Sequence, residues 1–184
     1  METIRKCCKC NMQSFLFTYF FSLDFDLNSP FLQKKPNNEI DLIDLFNTQN
    51  NISINLTNLK KIQCINCHAE MEHKESKIFY LLPYQLVLYF NRGNDNENKM
   101  KIKYQEKLDL SKTVKDEKFS PKLFELKGII KRSDINGKEH YFSLVFNDSD
   151  KFWYFWDNEK SQKINSLEES QDGDIVMLFY VSNK

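Results

Sequence analysis

Apolar and polar positions alternate over residues 14–27, ending Leu23-Asp-Phe25-Asp-Leu27, the two-residue period of a half-buried strand. Asn28-Ser-Pro30 breaks it, and Pro36-Asn-Asn38 supplies a turn. Over residues 39–46 the period lengthens, so that Ile40, Ile43 and Phe46 share one face of a short predicted helix. Residues 47–58 are polar and punctuating, and strands are predicted over 59–64 and 77–82. Beyond Leu81 the pattern is almost wholly strand and turn. Residues 86–90 form a continuous apolar run short enough for a buried strand, bounded by Pro83 and an Asn/Gly/Asp cluster over 91–98. Further strands are predicted over 123–131, 141–146, 152–156 and 175–181. The elements describe an α+β fold, mainly antiparallel β, built on a twisted sheet.

The chain has 184 residues, enough for one compact domain or one domain with a projecting lobe. With 41% hydrophobic residues, sixteen of them Phe, it can fill a core, which excludes a disordered chain. Lys+Arg and Asp+Glu both number 26, so no basic surplus points to nucleic acid or to an anionic membrane. The four glycines fall in no GxGxxG, GxxxxGK[ST] or GxSxG arrangement, which sets aside Rossmann, P-loop and serine-hydrolase chemistry. No apolar run reaches the roughly 18 residues of a membrane span. Arg5, Lys6 and Lys9 precede an aromatic run, but cysteines interrupt the start and no small-residue cleavage site follows, so a reducing, intracellular compartment is expected.

Five cysteines are present, an odd count that argues against a disulfide framework. Four of them form Cys7-x-x-Cys10 and Cys64-x-x-Cys67, with 53 residues between the pairs. A two-residue gap lets one tight turn aim both thiolates at a point, and two such turns make the S4 site that structural zinc prefers. Reduced cysteines without metal are the other reading. His68 and His73 are alternative ligands or solvent-facing side chains, their spacing does not match HExxH, and Cys8 is left over.

One constellation suggests catalysis. If residues 147–151 turn the chain, the flanking strands fold about position 149 and His140 falls nearly opposite Asp157. Facing Cβ atoms would sit roughly 4.5–5.5 Å apart, so an imidazole nitrogen could donate to the carboxylate and leave the other nitrogen as a base. On spacing alone, a surface His and Asp flanking a hairpin is the favoured reading.

The order Cys-x-x-Cys, Cys-x-x-Cys, Leu82-Pro83 with Leu86-Val-Leu-Tyr-Phe90, Lys101-Ile102, Leu108-Asp-Leu110, Phe124-Glu-Leu-Lys-Gly-Ile-Ile130, His140-Tyr141, Trp153-Tyr-Phe-Trp-Asp157-Asn158 and Leu178-Phe-Tyr180 resembles the C-terminal part of ubiquitin-specific proteases. The resemblance covers nearly the whole chain. It implies a papain-like palm sheet, over approximately 81–184, and a zinc-ribbon-like fingers lobe, over approximately 1–80, in a single partial domain. It implies that Cys7, Cys10, Cys64 and Cys67 hold a structural zinc ion. His140 would be the general base, Asp157 its orienting partner, and Asn158 a support for the site or the oxyanion. The implied partner is ubiquitin or a ubiquitin-like protein.

Two positions depart from the family. Gly usually precedes the base, whereas this chain has Glu139, bulky and charged beside the channel for the ubiquitin tail. The nucleophile belongs to a thumb lobe ahead of the fingers, and only six residues precede Cys7. Cys10 in Cys10-Asn-Met-Gln-Ser14 faintly echoes the nucleophile box, but a ligand role accounts for its Cys7 partner and the strand after it. The expectation is a domain whose isolated chain is inactive and which needs a thumb-bearing polypeptide. The alternative is a non-catalytic, zinc-stabilised ubiquitin-binding or interaction module.

Overall fold

The computed structural model describes residues 1–29, 32, 38–50, 54–55, 62–71, 73–93, 98–115, 118, 120–170 and 172–182. Positions 30, 36–37, 51–53, 56–61 and 94–97 of the expected turns, loops and strands lie outside the described residues. In chain order the elements are β1 (Glu2–Cys7), β2 (Gln13–Phe17), β3 (Leu23–Asp26), β4 (Glu39–Asp41), α1 (Leu42–Asn50), β5 (Ile54–Asn55), β6 (Ile62–Gln63), β7 (Glu70–Met71) and β8 (His73–Ile78). They continue as β9 (Gln85–Asn91), β10 (Lys101–Lys103), β11 (Lys107–Asp109), β12 (Leu123–Ile135), β13 (Lys138–Asn147), β14 (Phe152–Asp157), β15 (Lys160–Ile164) and β16 (Asp174–Ser182).

Eight strands make the main sheet in the order β15-β14-β13-β12-β16-β9-β3, with β11 joined to one end of β12. Its pairings are antiparallel except β3 with β9, which run parallel. β12 is long because it serves three partners: β11 at its start, β13 over its second half and β16 along most of its length. A smaller sheet, β2-β1-β8-β5, carries the N-terminal segment, and β6-β7 form a separate hairpin. Lys115 Nζ reaches the buried Glu2 carboxylate at 2.7 Å, tying β1 to the loop that follows β11.

One face of the main sheet is closed by α1 and the chain around it. Leu42, Leu45 and Phe46 take the i, i+3, i+4 positions of that helix and are buried. The rings of Phe90, Phe25, Phe46 and Phe79 follow one another at centroid spacings of 5.6, 5.5 and 5.7 Å. Each such side chain contributes about 1.5–3 kcal/mol by leaving water. Tyr180 is buried among them and donates its hydroxyl hydrogen to the Gln105 carbonyl at 2.7 Å.

The strands predicted over 86–90, 123–131, 141–146, 152–156 and 175–181 all form, each extended by one or more residues. Three expectations change. The single strand over 14–27 is two strands in different sheets. β2 ends where Thr18 and Met1 exchange backbone hydrogen bonds of 2.8 and 2.9 Å, and Tyr19 and Phe21 then stand 97% and 96% exposed. The helix starts at Leu42 because Glu39–Asp41 is drawn into a parallel pairing with Lys101–Lys103, with Ile40 facing Ile102. The strand expected over 77–82 lies earlier, at His73–Ile78, in a polar stretch that carries no hydrophobic period.

Candidate functional site

The two Cys-x-x-Cys turns are copies of one local structure. In the first, the Cys7 amide donates to the Met12 carbonyl at 2.9 Å, the Asn11 amide donates back to Cys7 at 3.0 Å, and Asn11 has φ 60°. In the second, Cys64 donates to Ala69 at 3.0 Å, His68 donates back to Cys64 at 2.9 Å, and His68 has φ 54°. Each knuckle thus closes on a residue in the left-handed region and turns both of its sulfurs toward the other knuckle.

Ligand atoms of Cys7, Cys10, Cys64 and Cys67 all lie within 4.8 Å of one another. Cys7 Sγ is 3.8 Å from Cys67 Sγ, and Cys10 Sγ is 3.6 Å from Cys64 Sγ. A regular tetrahedron with Zn–S bonds of about 2.3 Å needs sulfurs about 3.8 Å apart, so the four thiols fit a tetrahedral cation. Their crowding splits them: the Met12 amide and the Asn66 side chain pull Cys10 down to about 6. Cys67 goes up to about 11, since desolvation and the neighbouring sulfurs outweigh the Ala69 amide. His68 is exposed and serves as the turn residue, and backbone pairing sets His73 opposite Cys7. Cys8 is exposed between the first two ligand positions.

The second cluster stands on β12, β13 and β14. The β13–β14 ladder runs from Asn147↔Phe152 to Ser143↔Trp156, so the next rung sets Phe142, not His140, across from Asp157. The register expected from the sequence is off by two residues. Because side chains two apart share a face, His140 and Asp157 become diagonal neighbours and still meet, with His140 Nε2 2.9 Å from Asp157 Oδ1. The carboxylate lies off the line of an Nε2–H bond, so the approach is of ion-pair range without being a directed hydrogen bond. Asn158, at φ 53° in the turn after β14, donates its Nδ2 hydrogen to the same Oδ1 at 3.0 Å.

Glu139 and His140 project to opposite faces of β13. Arg132 donates to Glu139 at 2.7 Å and to Asp174 at 3.1 Å, and the Tyr141 hydroxyl donates to Glu139 at 3.1 Å. Burial pushes the Asp174 carboxyl up, but the Arg132 hydrogen bond and the charges of Arg92 and Lys99 prevail and hold it below the usual carboxylate range. Arg92 is itself buried, its guanidinium donating to the Ile175, Asn98 and Met100 carbonyls. Sequence reasoning missed this network. Its one sequence signal is the pair of arginines set beside apolar strand runs at 86–90 and 129–130.

The face of the sheet away from α1 is only partly covered. Successive ladders align Tyr89, Met177, Ile130, Ser143 and Trp156 in one row across five strands. Tyr89, Tyr141, Val145 and Trp156 are between 37% and 47% exposed, which leaves an aromatic, half-open surface on the Glu139 face of β13, the opposite face from His140.

A family model described as ubiquitin carboxyl-terminal hydrolase matches residues 2–180. Among solved structures, the SAGA DUB module Ubp8/Sgf11/Sus1/Sgf73 bound to monoubiquitin matches with a TM-score of 0.74 at 19% identity, covering 100% of this chain and 40% of that one. The same module bound to ubiquitin aldehyde matches with a TM-score of 0.74 at 18% identity and the same coverage, and a yeast SAGA DUBm with a TM-score of 0.68 at 18% identity. At these identities the likeness is one of fold, and the chain spans 40% of the length of those structures. No curated protein matches the chain in sequence. With the family model running over nearly all of its length, the chain belongs to the ubiquitin carboxyl-terminal hydrolase family, the ubiquitin-specific proteases that its motif order resembles.

Proposed function

We propose that this chain is the fingers and palm of a ubiquitin-specific protease, which binds ubiquitin and carries the base and its carboxylate partner but not the nucleophile. The observation that carries the reading is the approach of His140 Nε2 to Asp157 Oδ1 across neighbouring strands of the main sheet. The smaller sheet and the β6-β7 hairpin, each carrying one knuckle, form the fingers lobe, and the eight-stranded sheet is the palm.

With Nε2 turned to Asp157, Nδ1 is the nitrogen left to take a proton from a thiol, and the carboxylate stabilises the imidazolium that results. The thiolate would attack the carbonyl carbon of the isopeptide bond, the imidazolium would return its proton to the leaving amine, and water would then release the acyl group. Glu139 is held by Arg132 and Tyr141 on the other face of β13, so its carboxylate does not crowd the imidazole. Cys7, Cys10, Cys64 and Cys67 would hold a zinc ion, which with four protein ligands supplies structural cross-linking only. Free thiols in that number suit a reducing, intracellular compartment.

Four of the five cysteines are gathered in the knuckles and Cys8 sits within one of them, so the thiol that His140 serves would come from a thumb lobe outside these 184 residues. The same observation favours a second reading, a non-catalytic ubiquitin-binding module. Titration of the isotope-labelled chain with ubiquitin tests both. Amide shifts in the main sheet around His140 and Asp157 are expected, and the absence of any shift defeats ubiquitin recognition. A ubiquitin probe with an electrophilic C-terminus should leave the isolated chain unmodified. Adduct formation only after addition of a thumb polypeptide selects the enzyme reading, and an adduct at Cys10 overturns its ligand role.

A further inference from the structure

We propose that Ser133 is a positioning residue for His140: its hydroxyl oxygen accepts the Nε2–H hydrogen bond, directly or through one bound water, and so fixes the ring with Nδ1 unprotonated. The inference rests on the reading of His140 as the base.

Ser133 and His140 face each other on one rung of the β12–β13 ladder. Opposed residues of an antiparallel ladder project to the same face with Cβ atoms about 4.5–5.5 Å apart. Among the described residues, two buried side-chain nitrogen or oxygen atoms lack a hydrogen-bond partner, and they are Ser133 Oγ and His140 Nε2. Buried polar atoms are rarely left unmatched, and here the two exceptions belong to side chains directly across from one another. Asp157 brings its charge to 2.9 Å of Nε2 but stands out of line with an N–H there, which leaves that hydrogen a second acceptor to find. A serine hydroxyl is a rotor with two acceptor lone pairs, and it accepts from Nε2–H while keeping its own proton to donate. A cleft of about 470 Å³ along the ends of β12 and β10 and the start of β16 is lined in part by Ser133. The carboxylate stabilises the imidazolium, and the serine gives the same nitrogen a directed hydrogen bond.

Imidazole NMR of the isolated chain tests this without ubiquitin and without a nucleophile, so its outcome is independent of the ubiquitin titration. The chain has three histidines, which makes assignment tractable. At about pH 8, where imidazoles are neutral, His140 should show the Nε2–H tautomer. Its proton should exchange with water at least about tenfold more slowly than that of exposed His68. Ser133→Ala should abolish that protection and Ser133→Thr should retain it, with backbone spectra reporting that both variants fold. An unprotected Nε2–H in the unmodified chain, undiminished protection in Ser133→Ala, or equal loss in Ser133→Thr would each overturn the assignment.

Discussion

His140 and Asp157 stand 2.9 Å apart, although neither occupies the rung opposite the other. A ladder register displaced by two residues keeps every side chain on its face, whereas a displacement by one would have sent the carboxylate to the far side of the sheet. The meeting therefore depends on parity more than on the choice of rung, and long polar side chains close the remaining diagonal distance.

Asn158 holds Asp157 from the turn and does so at φ 53°. This is the first position of a two-residue turn between β14 and β15, a place that favours glycine. Asn158→Gly should leave thermal stability equal or slightly raised, while Asn158→Ala should lose about 1 kcal/mol through backbone strain. Both remove the amide that anchors the carboxylate, so comparing their melting curves separates strain from anchoring.

The four-sulfur site predicts one zinc per chain by elemental analysis. Chelation should unfold the β2-β1-β8-β5 sheet, since a four-thiolate site contributes on the order of 10 kcal/mol to ordering its surroundings. Cys64→Ser should lose the metal, and Cys8→Ser should keep it. Retention of zinc by Cys64→Ser would require a ligand other than the four that converge.

The paired knuckles make a further prediction about His68. Its left-handed backbone, and not its imidazole, is what the turn uses. His68→Gly should retain metal and fold, whereas His68→Val should cost about 1–3 kcal/mol because a β-branched residue resists positive φ. Loss of metal in His68→Gly would make the imidazole a ligand.

How far the chain could be read in advance follows from where its hydrophobic pattern is local. The runs at Gln85–Asn91, Phe152–Asp157 and Asp174–Ser182 pack on a sheet that buries a face of each, so alternation or a dense apolar stretch marks them. His73–Ile78 is held instead by backbone pairing with β1, and Lys160–Ile164 is an edge strand, so both are polar and invisible to that signal. The metal site was legible because two short spacings carry it entirely. The Arg92–Asp174–Arg132–Glu139 network was not, because its members come from four strands or strand ends and meet only after the sheet forms. Ser133 has no sequence signature at all until the β12–β13 register sets it against His140.

Acid should weaken the sheet through Asp174. Its folded carboxyl lies below the ordinary value, so its stabilising contribution is complete above the unfolded value, near about pH 4, and drains as pH falls through the lower folded value. Urea midpoints measured from pH 7 down to about pH 2 should fall more steeply for the unmodified chain than for Asp174→Asn. The variant should be the less stable protein at neutral pH, where Arg92 and Arg132 lose their shared anion. Parallel acid limbs would remove Asp174 from the account.

The strand order places β16 between β12 and β9, so residues 174–182 join the hairpins of 123–164 to the β3–β9 pair. A nascent chain can build those hairpins early, but the two parts of the sheet stay unjoined until that last strand has cleared the ribosome. Over this interval Leu86, Leu88 and Phe90 have no β16 to pack beside, which makes the half-synthesised domain a natural client for chaperones that hold apolar strands.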